Sequence, residues 1–197
     1  MDLAADQRPI AVAFVETAAD VASVIRFAAE RELKVAAQGT GHGAVALGPL
    51  DETILVKTEC MRAVEVDAEA RTARIEAGVL AMEIAAAAQA EGLCSMPGSA
   101  PDVGVVGYTL GGGLSWLGRR HGWACNRVNA IELVAADGEA RRVHADSDGD
   151  LFWALRGGGG GYAIVTAVEL ALLPIASASC GRRRFPTFPS RSAIGRC

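Results

Sequence analysis

The chain has 197 residues, 51% hydrophobic and only 5% aromatic, with a formal net charge of −4. That length suits one domain with a sizeable core of Ala, Val, Leu and Ile. The mild acidity excludes a general binder of nucleic acid or of anionic membranes and leaves small molecules as the expected partners.

Residues 8–15 read as a first strand. Thr17 is placed to cap a helix whose Val21, Val24, Ile25 and Ala28 recur at helical spacing, and residues 33–37 read as a second strand. This β-α-β unit delivers the chain into Gln38-Gly39-Thr40-Gly41-His42-Gly43. Residues 53–56, 63–66 and 73–77 are short β-like runs between charged turns. The alanine-rich stretch 80–91 has strong helix propensity, and Gly92 stands where a C-terminal cap belongs. A second glycine-rich stretch, GSAPDVGVVGYTLGGG, fills residues 98–113. Residues 131–136 and 140–144 flank Asp137-Gly138, a type I′ hairpin signal. Asp148 or Asp150 opens a helix through Leu155, Arg156 leads into five glycines, and residues 162–173 read as a final buried strand ending at Pro174. The order is α+β with mixed sheets. From residue 176 hydrophobic periodicity gives way to arginine, serine and proline, as in an unfolded tail or a shifted reading frame.

The five cysteines (Cys60, Cys94, Cys125, Cys180, Cys197) form no CxxC pair, and His42, His121 and His144 form no HExxH, so no metal is expected. No basic and then apolar leader opens the sequence, and no uncharged apolar run is long enough for a bilayer. The chain therefore reads as soluble and cytoplasmic.

Glycines at this density let backbone N–H groups converge on an anion, because no Cβ blocks approach or forbids positive φ. Two such loops point to a diphosphate-bearing cofactor. A dinucleotide fingerprint needs a helix straight after its GxGxxG, whereas residues 44–49 read as non-helical, and no GK[ST] exists for a P-loop. Loops alone are then expected to hold the phosphates.

On QGTGHG after the β-α-β unit, PDVGVVGYTLGGGLSWLGRRHGWACNRV and DLFWALRGGGGGYAIVT, residues 7–175 resemble a known flavin domain. It is that of the covalent FAD-linked oxidases, the vanillyl-alcohol oxidase superfamily with PCMH-type FAD-binding domains, in its berberine-bridge-enzyme-like branch. The resemblance implies a small β-α-β subdomain followed by a larger mixed or antiparallel sheet flanked by helices, with residues 176–197 as an irregular tail. It implies FAD joined through a ring nitrogen of His42 to the flavin 8α carbon; by residue chemistry alone, His42 is a solvated loop histidine. Some relatives attach the flavin again through a loop cysteine. Counting back from Gly111-Gly112-Gly113 puts Val105 there, so a single attachment is implied.

The implied cofactor-binding set continues with Gln38, Gly39, Thr40, Gly41 and Gly43. It adds Pro101, Asp102, Val105, Gly107, Tyr108, Thr109, Gly111, Gly112 and Gly113, then His121 and Gly122, and Gly161, Ile164 and Val165 on the adenine side. Asp102 is expected to cap a short helical turn from Val103, since a carboxylate repels phosphate. Tyr108 and Trp116 read either as core or lining residues or as contacts of flavin or substrate. Arg156 reads equally as a phosphate partner or a solvated arginine, and Cys125 as a packing residue.

The resemblance further implies oxidation of a small organic substrate by hydride transfer to flavin N5, with dioxygen as the electron acceptor. Relatives carry a substrate domain inserted after the strand ending near Pro174 and a later segment with the catalytic base. Neither is matched here, so no catalytic residue is named. A truncated remnant that binds flavin without turnover is the alternative expectation, and the NADPH-using cell-wall reductases are a third, disfavoured by the histidine of QGTGHG.

Overall fold

Thr17 starts the first helix through bonds made entirely within one turn. Its Oγ1 accepts the Asp20 amide at 3.1 Å while Asp20 Oδ2 takes the Thr17 amide at 2.9 Å, a reciprocal cap. The Thr17 hydroxyl, then the Glu16 and Thr17 amides, hold the Asp20 carboxyl below its usual range. In the computed structural model, which describes residues 6–177, β1 (Ala11–Phe14), α1 (Ala18–Ala29), β2 (Lys34–Gln38) and β3 (Thr53–Lys57) form the first lobe. Its strands are parallel, in the order β1-β3-β2. The first strand starts later than residue 8 because Pro9 has no amide to give; Ile10 makes the first bond, to the Thr53 carbonyl. Residues 44–49 do contain helix, but only the four-residue 3₁₀ turn Ala44–Leu47, which ends on Gly48 at φ 66°. That is too short for a dinucleotide fold's phosphate-binding helix.

The larger lobe contains β4 (Val64–Asp67), β5 (Thr72–Glu76), α2 (Ala81–Ala90), α3 (Val105–Leu110), α4 (Gly118–His121), β6 (Val128–Val134), β7 (Ala140–Val143), α5 (Gly149–Gly158) and β8 (Ile164–Ala171). Its strands pair antiparallel in the order β4-β5-β8-β6-β7, which puts the last strand in the centre. Ile75, Ile131, Leu133, Val168 and Leu170 form one core with Ile84, Val106, Leu110, Phe152 and Leu155 of the helices. Alternation sends Arg74 and Glu132 to the other face, where they meet through two bonds of 2.9 and 2.7 Å. The Arg74 hydrogen bond holds the Glu132 carboxyl below its usual range. A second cluster, with Val15, Val21, Ile25, Val56 and Met61 from the first part of the chain and Val134 and Ile164 from the second sheet, joins the lobes.

The chain is thus α+β. The β6–β7 turn differs from the expected type I′. Only Gly138 takes positive φ (79°), its N–H returns to the Ala135 carbonyl at 2.9 Å, and the Ala135 N–H reaches Glu139 at 3.1 Å. This is a longer turn ending on a left-handed glycine. Arg26 of α1 lies over it and donates to the Gly138 carbonyl at 3.3 Å, and a Cβ on Gly138 would sit 3.1 Å from Arg26 Cγ. Asp148, rather than Asp150, caps α5, accepting the Leu151 amide at 3.3 Å. Regular helix stops at Arg156, where φ/ψ turns non-helical. The expected tail falls, from residue 178, outside the described residues. Among the described residues no helix is long and apolar enough to cross a membrane.

Candidate cofactor site

The first glycine loop leaves β2 at Gln38, which lies opposite Lys57 in the parallel register. Lys57 Nζ donates to Gln38 Oε1 at 3.0 Å and to the Gly39 carbonyl at 2.8 Å, pinning the root of the loop. Gly41 then takes φ 81°. Among the described residues, the amides of Thr40, Gly41, His42 and Gly43 donate to no acceptor. Unpaired amides in succession are what an anion requires.

Two side chains of this loop cross to the larger lobe. Thr40 Oγ1 accepts the Gly104 amide at 3.3 Å and lies 2.9 Å from His42 Nδ1. The other ring nitrogen, Nε2, faces Asp102 Oδ1 at 3.8 Å, with the His42 and Asp102 side chains 43% and 69% exposed. Asp102 therefore does not cap a helical turn from Val103. The helix starts at Val105 with Gly104 as its cap and no side-chain capping bond. Its start is set by tertiary bonds instead: the Gly104 amide goes to Thr40 and the Val105 amide to the Val79 carbonyl at 3.0 Å.

The second loop is held by contact. A Cβ on Gly113 (φ 72°) would lie 2.5 Å from Ala124 Cβ and 2.9 Å from Tyr108 Cε1, and one on Gly98 would lie 3.0 Å from Tyr108 Cε2. The Tyr108 ring is thus seated between two glycines. Its hydroxyl and Thr109 Oγ1 are buried without a hydrogen-bond partner among the described residues, and burial pushes the Tyr108 hydroxyl pKa up. Both residues line a cavity of about 160 Å³ with Ser95, Met96, Pro97 and Arg127. A second cavity, of about 320 Å³, has Gly39, Thr40, Gly78, Leu80 and Gly104 in its wall, with Glu59, Cys60 and Arg62.

The fold therefore brings Gln38–Gly43 up against Asp102 and Gly104, with Pro101 beside them. Gly107, Tyr108 and Thr109 lie on α3, and Gly111 to Gly113 follow its end. Val105 is buried in the core. The last glycine run joins α3 through the Gly159 amide, which bonds to the Leu110 carbonyl at 3.0 Å. Gly161 precedes β8, and Ile164 and Val165 open it, paired with Val134 and Leu133. His121 and Gly122 close α4, their amides bonded within it. Trp116 is 72% exposed and Cys125 is buried. Arg156 lies over the Phe152 ring at 4.1 Å and donates to the Phe152 carbonyl. Sequence reasoning missed Lys57, Gly104 and the wall formed by Glu59, Cys60, Arg62 and Gly78. Gly78 carried a signal, as the glycine closing β5: a Cβ there would meet the Thr58 carbonyl oxygen at 2.3 Å.

A glycine loop whose successive amides are unpaired among the described residues, set against a second glycine stretch between a parallel lobe and an antiparallel one, defines a binder of a diphosphate-bearing cofactor. Residues 9–144 match the FAD binding domain family, and the chain belongs to it. It is 32% identical over 166 residues to (R)-6-hydroxynicotine oxidase of Paenarthrobacter nicotinovorans, covering 84% of this chain and 36% of that protein. Against glucooligosaccharide oxidase of Sarocladium strictum it is 32% identical over 171 residues, covering 85% and 34%. Among solved structures, 6-hydroxy-D-nicotine oxidase from Arthrobacter nicotinovorans superimposes with a TM-score of 0.78 at 31% identity, covering 82% of this chain and 36% of that one. The berberine-bridge-like protein of Physcomitrella patens (variant D396N) gives 0.79 at 28% identity, covering 85% and 37%. The chain spans about a third of the length of these relatives. Its cofactor is FAD, and the residues present fit it. Among the described residues the amides of Thr40 to Gly43 are free, Gly43 and Gly107 have open space where a Cβ would project, and two buried hydroxyls lack partners.

Proposed function

We propose that this chain is the flavin-binding part of an FAD-dependent oxidase that oxidises a small organic substrate and holds its FAD covalently through His42. The observation that carries this reading is the position of His42. It stands among unpaired loop amides and faces the second loop from across the lobe junction. Bound FAD supplies the hydride acceptor, and the protein's part is binding, orientation and electrostatics. The amides of Thr40 to Gly43 hold the diphosphate, while Lys57 keeps the root of their loop in place. Pro101, Asp102, Gly107 and Gly111 to Gly113 present main chain to the flavin edge. Main-chain donors there stabilise negative charge on the reduced ring. Gly161, Ile164 and Val165 meet the adenine side, with His121 and Gly122 at the periphery. The hydroxyls of Tyr108 and Thr109 await polar partners from the cofactor. A solved relative described as carrying an 8 alpha-N1-histidyl FAD supports the histidine attachment. Relatives named as oxidases support dioxygen as acceptor.

The test is the visible spectrum of the acid-precipitated protein. Yellow colour retained by the wild type and lost in His42→Ala supports covalent flavin at His42. A colourless wild type that takes up no added FAD overturns the proposal.

A further inference from the structure

The surroundings of His42 distinguish its two ring nitrogens. Thr40 Oγ1 already accepts the Gly104 N–H at 3.3 Å, and its own proton has no acceptor among the described residues except His42 Nδ1, 2.9 Å away. A hydroxyl that donates to Nδ1 leaves a lone pair on that nitrogen and puts the ring proton on Nε2. Nε2 is the nitrogen that faces a carboxylate, Asp102 Oδ1 at 3.8 Å. At 3.8 Å the pair is too far apart for a hydrogen bond, as is common before a ligand closes a site. Asp102 has no other partner in the described structure and no capping role, so its carboxylate is free to turn onto the ring.

We propose that Asp102 is the positioning residue for flavin attachment: its carboxylate receives the Nε2–H of His42 and thereby presents the Nδ1 lone pair to the 8α carbon of FAD. The inference rests on the reading that His42 carries the flavin. In the reaction the Nδ1–C bond forms and one 8α C–H bond breaks. The C–H proton and the Nε2 proton are both released, the latter towards Asp102. The two electrons left on the flavin pass to dioxygen, which with two protons becomes hydrogen peroxide. Thr40 gives up its bond to Nδ1 as the new bond forms. Carboxylate, imidazole and attacking lone pair stand in the order by which an orienting carboxylate sharpens a histidine's reactivity.

Two measurements on the full chain, produced free of flavin, test this. The first follows attachment after FAD is added, read as flavin fluorescence that stays with the denatured protein in a gel. Noncovalent FAD affinity is measured in parallel. With FAD saturating, so that any change in affinity is separated from the chemical step, Asp102→Asn and Asp102→Ala are expected to slow attachment about tenfold or more, with partial rescue by Asp102→Glu. The second is ¹⁵N NMR of labelled histidine, which separates the tautomers without any cofactor; His42, His121 and His144 give only three sets of signals. His42 is expected as the Nε2–H tautomer, with its Nε2 signal displaced in Asp102→Asn while His121 and His144 stay in place. Attachment at the wild-type rate in Asp102→Asn, or a Nδ1–H tautomer for His42, overturns the role of Asp102. Flavin retained by His42→Ala instead overturns the underlying attachment site, and the tautomer result tells the two failures apart.

Discussion

In the first glycine loop, Gly43 meets nothing within 4 Å where a Cβ would lie, and polar side chains hold the chain: Lys57 at its root, Thr40 and His42 across the lobe junction. In the second, Gly98 and Gly113 are filled by the Tyr108 ring and Ala124, and few polar side chains are involved. One residue type thus serves two purposes on the two sides of one cleft. Gly43, like Gly107 on α3, keeps space open for a ligand; Gly98 and Gly113 close space on the protein itself. Substitutions should therefore separate into those that harm binding and those that harm folding.

Gly113→Ala is the severest test. It forces alanine into left-handed φ and against Ala124, and should lose about 2–4 kcal/mol in urea denaturation. Stability within error of wild type would erase the distinction between the loops. Thr40→Val, close to isosteric, leaves the Gly104 amide unpaired and should lose about 1 kcal/mol in the same assay. A null result would mean that the first loop is held elsewhere. Tyr108→Phe removes a buried hydroxyl that lacks a partner among the described residues, so apo stability should stay level or rise by up to about 1 kcal/mol. Weaker FAD binding by that variant would identify the hydroxyl as a cofactor contact. Gly43→Ala has a compatible φ of −101° and should change stability by less than about 0.5 kcal/mol. It should nonetheless weaken FAD binding measured by flavin fluorescence quenching. A folding defect as large as that of Gly113→Ala would break the comparison.

What could be read beforehand follows the range of the interactions concerned. Helix α1 was legible because Thr17 and Asp20 cap each other within one turn. The loops were legible because glycine density has a direct backbone meaning, although residue chemistry reached only a diphosphate, and FAD and oxidase chemistry came from the resemblance. Asp102 was assigned to a cap because a carboxylate two residues before a helix cap invites that reading. Its actual neighbour, His42, lies on the other lobe. Lys57 is hidden because only the β2–β3 register places it opposite Gln38, and the β6–β7 turn departs from type I′ because Asp137-Gly138 suits a longer loop equally, with Asp137 Oδ1 accepting the Glu139 amide and Gly138 left-handed.

The last strand of the chain, β8, is the one that holds the larger sheet together. The first lobe draws its strands from residues 11–57, but its core is completed by Val134 and Ile164 of the larger sheet. The larger sheet is built around Ile164–Ala171, with β4–β5 on one side and β6–β7 on the other. Until that strand is synthesised, these are two separate hairpins with unpaired edges, held apart by the entropy of closing a long loop. Insertion of β8 between them joins the two into one sheet. A chain that stopped short of residue 164 would thus be left with two hairpins whose unpaired edges are open to aggregation.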